Sequence, residues 1–135
     1  VTWAAEGDLA RIADSLSSCG VATIGPNRTQ RQTTEGDLLV WELLFPTGSA
    51  HGTRMPFFID WLECTNPRLT NPVGGQFRSL SITTPDAADL QRTLAGIGLE
   101  VPVQEGEPAL AVSITARGGE VLLNSTDETS DVTMR

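Results

Sequence analysis

In the run MPFFIDW, Met55 to Trp61, one carboxylate sits among large apolar side chains. A carboxyl group in such a setting can serve as a general base or accept a hydrogen bond from a substrate, and Asp60 is the residue on which catalysis is expected to rest. Desolvation beside Phe58 raises a carboxyl pKa unless a guanidinium offsets it, and Arg31, Arg54 and Arg78 are the candidate partners. The same residues also fit a satisfied ion pair at the mouth of a structural cavity. Strand alternation puts Phe58, Asp60 and Leu62 on one face and Phe57, Ile59 and Trp61 on the other. If the second set packs under helices, the first lines an open concave side. Trp41 and Trp61 either stack on a planar ligand or belong to the core. Arg28 and Arg31, in NRTQR, either hold an anion through paired hydrogen bonds or remain solvated. His51, the single histidine, lies in the loop-like PTGSAHGTR and is expected to be exposed and without a role.

The residue types that are missing narrow the chemistry. All nine basic residues are arginine, so no lysine exists to form a Schiff base, and there is no tyrosine to act as a phenolic acid. A net charge of -8 without an arginine cluster argues against nucleic acid as a partner. No apolar run approaches the ~20 residues of a membrane span, and the start lacks a signal-peptide pattern, so a soluble, cytoplasmic protein with no membrane partner is expected. Cys19 and Cys64 are too few for a disulfide framework. Both are read as reduced and buried, with one bridge as the alternative.

The elements that position these residues repeat. DLARIADSLSSCG (Asp8 to Gly20) reads as an amphipathic helix, with Leu9, Ile12, Leu16 and Cys19 on one face and Gly20 as its terminator. DAADLQRTLAGIG matches it with an offset of 78 residues, from Asp8 to Asp86, and ends at Gly98. Thr84 as N-cap, Pro85 in the first turn and Asp86 near the helix N-terminus are its expected start. Strand-like runs precede the helices at Thr2 to Ala5 and Phe77 to Thr83. Others follow at Leu38 to Phe45 and Pro56 to Glu63, then at Ala109 to Ala116 and Glu120 to Asn124. One domain is expected, with module 1 at 1–65, a Pro/Gly-rich linker at 66–76, module 2 at 77–125 and a polar tail at 126–135.

Two βαβββ modules of this size resemble the vicinal oxygen chelate superfamily. Arg31, then GDLLVW ending at Trp41, then PFFIDW narrow the resemblance to its glyoxalase-like domain family. The resemblance implies an α+β fold, with a curved mixed sheet and helices on its outer face. It also implies a further module upstream, with which a start at Val1 agrees. Metal-dependent relatives carry ligands at positions that fall near Val1, on Asp60, near Ser79 and on Leu123, and only Asp60 retains a ligand side chain. About three protein ligands are needed to hold a divalent transition metal, so no metal cofactor is expected. The expected function is binding of a small organic molecule in the concave cavity by Phe58, Asp60, Arg31, Trp41, Arg54 and Arg78, with a homodimer as the possible assembly. Two alternatives follow from the same resemblance. One is a metal-dependent lyase, isomerase or dioxygenase completed by an upstream module or partner subunit. The other is a drug-sequestering protein of the bleomycin-binding type.

Overall fold

The computed structural model describes residues 2–126. The expectations for Val1 and for the tail beyond residue 126 lie outside them. Along the chain, the first half runs β1 (Ala4–Glu6), α1 (Leu9–Ser18), β2 (Ala22–Gln32), β3 (Leu38–Thr47) and β4 (Phe57–Asp60). The second runs β5 (Gly75–Thr84), α2 (Ala87–Gly96), β6 (Val103–Glu105), β7 (Ala109–Ala116) and β8 (Gly119–Thr126). The chain is thus α+β, two βαβββ modules with one helix each.

The helices explain why the repeat was visible. Asp8 caps α1 by accepting from Arg11 N, and Asp86 caps α2 by accepting from Asp89 N at 3.1 Å. The cap of α2 is therefore Asp86 and not Thr84, whose hydroxyl is engaged by His51 at the end of β5. Each helix closes with a glycine at positive φ, Gly20 at 77° and Gly98 at 84°. Beyond each glycine a backbone N–H returns to the last turn, Val21 to Leu16 O and Leu99 to Leu94 O, both at 2.9 Å. That is the paired-bond terminator which a residue with a Cβ adopts only under strain. Leu9, Ile12 and Leu16 bury one face of α1; Leu90, Thr93 and Leu94 do so for α2. Cys19 was expected inside, but as the C-cap of α1 it is exposed, while Cys64 is half-buried; both are free.

The strands depart from a strict duplication. The first sheet has the order β1-β4-β3-β2, with β1 parallel to β4; the second has β6-β5-β7-β8, with β5 parallel to β6. The module's first strand is an edge in one case and interior in the other. Strand length accounts for the difference. β2 has 11 residues and forms a long hairpin with β3, whereas β6 has three and adds to β5 beyond α2. Both β2 and β6 escaped the sequence reading because neither alternates in polarity, and β2 is largely exposed.

Two compact units result among the described residues: 3–50 with 55–72, and 2 with 51–54 and 73–126. The segment His51–Arg54, between β3 and β4 in sequence, belongs to the unit of the second sheet. In the first unit Leu44 and Phe58 are paired across β3 and β4, and both are fully buried together with the inner face of α1. In the second, Ile82 pairs with Leu110 beneath Leu90 and Leu94. Among the described residues no helix is long and apolar enough to cross a membrane.

Candidate functional site

The register of β2, β3 and β4 decides which side chains share a face. Leu44 lies opposite Phe58, Leu43 opposite Ile59, and Glu42 opposite Asp60. Phe58 therefore points into the helix-covered core, the reverse of the expected arrangement, in which it lined the open side. The helix-free face carries the alternate set. Phe57 stacks on Phe45 with ring centroids 5.6 Å apart, and Trp41 lies 5.7 Å from Trp61 at a tilted angle. Phe45 is 39% exposed and the other three rings are half-buried, so this face is apolar and partly open. Its two aromatic pairs are a rigid surface on which a planar group can stack.

A cavity of about 540 Å³ opens at the end of β4. Asp60, Trp61, Glu6, Asp8, Asn66 and Arg68 are among its lining residues. Three carboxylates against one guanidinium make its wall acidic. Each carboxylate also has a local task. Asp8 caps α1, Glu6 accepts from the Asn66 amide, and Asp60 Oδ1 accepts from Leu62 N at 2.8 Å. The Asp60 bond closes a short turn in which Leu62 has φ of 54°, a left-handed conformation a leucine adopts at a cost of about 1 kcal/mol. Asp60 thus holds the chain where it leaves β4 and turns along the cavity wall.

Of the arginines expected beside Asp60, Arg31 is opposite Leu39 and so lies on the other face of the sheet. It lines a second depression, of about 970 Å³, between the β2–β3 turn and residues 63–71. Arg54 and Arg78 belong to the other unit. There Arg54 is buried at 7% exposure, and Arg78 Nε donates to Thr115 Oγ1 at 2.7 Å. The guanidinium in the row of Asp60 is that of Arg28, paired with Glu42 at 2.9 Å across β2 and β3. The ion pair offsets the like charges of Glu42 and Asp60, which stand directly opposite one another.

His51 corrects its expectation most sharply. It is 3% exposed, with Nδ1 3.1 Å from Thr84 Oγ1 and Nε2 2.9 Å from Asp89 Oδ2. The order Thr, His, Asp has the connectivity of a proton-relay triad. Thr84, however, is 1% exposed, so its hydroxyl is closed to any substrate, and the three residues act as a clasp on the first turn of α2. Bonding to His51 is the main cause that holds the Asp89 carboxyl below its ordinary pKa.

The sequence matches the family model of the glyoxalase-like domain over residues 1–98. The chain belongs to the glyoxalase-like domain family. The matched residues take in the whole first module, the PFFIDW strand and the second module through α2. The glyoxalase-like fold is also that of a hypothetical protein from Staphylococcus aureus, with a TM-score of 0.55 at 14% identity. The alignment covers 90% of this chain and 50% of that one, so the chain spans about half the length of that protein. No curated protein matches the chain.

Metal-dependent members of the superfamily raise the question of whether this glyoxalase-like domain has donors for an ion. Among the described residues no group of three or more His, Cys, Asp or Glu side chains is placed to hold one. One oxygen of Asp60 is committed to Leu62 N. The described residues thus offer no such donor set of their own. Arg68, Glu6 and Asn66 were missed by the sequence reading. They reach the cavity through a short helical turn at Pro67–Leu69 and through β1, and no spacing rule links them to Asp60.

Proposed function

We propose that this glyoxalase-like domain binds a small organic molecule in the cavity beside β4, without the metal of its superfamily. The ligand has a planar apolar body and a cationic or hydrogen-bond-donating group. The observation that carries this reading is that Asp60 and Trp61 line one cavity, a carboxylate next to a ring. Glu6 and Asp8 add negative charge to the wall, and Trp61 extends an aromatic surface through Trp41. Such a wall favours a protonated amine over an anion, through charge and through the ring face. The drug-sequestering alternative is the form of this reading in which the ligand is a cationic planar antibiotic.

The test is a fluorescence and thermal-shift titration with planar amines, planar carboxylic acids and neutral aromatics of equal size. Amines are expected to bind best, and Trp61→Ala to weaken them about tenfold, the worth of one stacked ring. Preference for the acids, or binding indifferent to Trp61→Ala, would overturn the proposal. So would stoichiometric iron, zinc, nickel or manganese in protein purified without chelator.

Asp60 separates its two roles by substitution. Asp60→Asn keeps an acceptor for Leu62 N and is expected to fold with wild-type stability, whereas Asp60→Ala should lose about 1 kcal/mol in denaturant unfolding. Weaker amine binding by the Asn variant at unchanged stability then reports the charge alone.

A further inference from the structure

Among the described residues the two sheets have four edge strands, and three of them are protected. β1 and β6 are three residues long. β2 carries a register shift between Ile24 and Asn27, with Pro26 inside it, and a run of polar and charged residues after it. Short strands, bulges, proline and charge are the means by which sheets avoid pairing with other chains. β8 has only one of them, the single charge of Glu120 near its start. It pairs with β7 over its full eight residues without a bulge, and Gly-Glu-Val-Leu-Leu-Asn-Ser-Thr contains neither proline nor a basic residue. Its centre is apolar and open: Val121 is 43%, Leu122 61% and Leu123 47% exposed. The placement of α2 explains this. The helix packs over β5 and β6, at the opposite end of the sheet from β8.

We propose that β8 is a self-association edge, on which a second copy of this chain adds its own β8 antiparallel about a twofold axis at Leu122. The strand is self-complementary about that residue. Leu122 meets Leu122 of the second copy on one face, and Val121 meets Leu123 of the second copy on the other. Glu120, the only charge in the strand, meets Asn124 of the second copy rather than another carboxylate. No like charges oppose one another, and each copy supplies the unpaired backbone groups that the other needs. Residue 122 shares its face with Ser113, and residues 121 and 123 share theirs with Ile114 and Val112, so the paired sheet continues the alternation already present. Three apolar side chains per copy make a small interface, which sets the affinity in the micromolar range.

Sedimentation velocity and light scattering of the full chain test this. The wild type is expected to pass from the 14.4 kDa chain to twice that mass as concentration rises through the micromolar range. Leu122→Lys and Leu122→Glu each set like charges against each other at the axis and should weaken the dimer about a hundredfold. An equimolar mixture of the two variants should restore it, because the mixed pair brings opposite charges together. A wild type monomeric throughout, a dimer insensitive to both substitutions, or a mixture that stays monomeric would each overturn the proposal. If either variant fails to fold, hydrogen exchange of wild-type β8 amides decides it. Protection that rises with protein concentration supports the edge pairing; protection independent of concentration means that the edge is not covered by a second copy.

Discussion

Phe58→Ala is expected to cost about 3–5 kcal/mol of folding stability, the usual range for deleting a fully enclosed aromatic ring. The ring is 0% exposed, lies opposite the equally buried Leu44 and completes the layer under Leu9, Ile12 and Leu16. Truncation removes the transfer energy of the ring and leaves a void that the paired strands are too constrained to close. Against the total of about 5–15 kcal/mol typical of a domain, this is about a fifth or more. Phe57→Ala, one residue away, is expected to cost only about 1–2 kcal/mol, since its ring is half-buried and loses chiefly its stack on Phe45. Urea unfolding of the two variants side by side measures the face assignment itself. A larger loss at Phe57 than at Phe58 would mean that β4 is turned over, and the cavity residues with it.

That pair of residues also shows where sequence reading stops. In MPFFIDW one alternation set joins Phe58 to the charged Asp60, and the other is wholly apolar, Phe57, Ile59 and Trp61. Polarity alone turns the Asp60 set outward, yet Phe58 is buried, because Asp60 is the last residue of β4 and leaves the core face to Phe58. The helices were legible because their signals are local. Asp8 and Asp86 sit at the same place in the two copies, as do Gly20 and Gly98, and cap chemistry needs nothing from elsewhere in the chain. Sheet order was not legible. β5 pairs with β7 at the position where β1 has no counterpart pairing with β3, and nothing short of the assembled strands distinguishes them. His51 is the extreme case. Its neighbours Gly, Ser and Thr describe a loop, and its burial comes from Thr84 and Asp89, more than thirty residues onward. Asp60 was legible as a lone acid beside rings. Its bond to Leu62 N and its place in one cavity with Trp61 and Arg68 depend on how the chain turns after β4.

The clasp at His51 gives the second large effect. His51→Ala is expected to lose about 2–4 kcal/mol, because it leaves the 1%-exposed Thr84 hydroxyl without the imidazole nitrogen and opens a void at the first turn of α2. Asp89→Asn tests the other end of the clasp. The Asp89 side chain is 48% exposed, so solvent screens its charge and the loss should be smaller, about 1 kcal/mol. The pH dependence has a definite sign. Hydrogen bonding from His51, aided by Arg92, lowers the folded pKa of Asp89, so the unfolded chain takes up its proton first as the solution is acidified. The contribution of the carboxylate is complete at neutral pH, begins to fall as pH approaches the ordinary carboxylate value of about 4, and is gone below the lowered folded value. The stability gap between wild type and Asp89→Asn should therefore be open at pH 7 and closed near the acid end of the titration, with the effects of Asp8 and Asp86 common to both proteins and cancelling. A gap that stays constant across that range would show that Asp89 acts through packing and not as an acceptor for His51. Should His51→Ala and Asp89→Asn add without coupling in the double variant, the two side chains contribute independently and the clasp is not a unit.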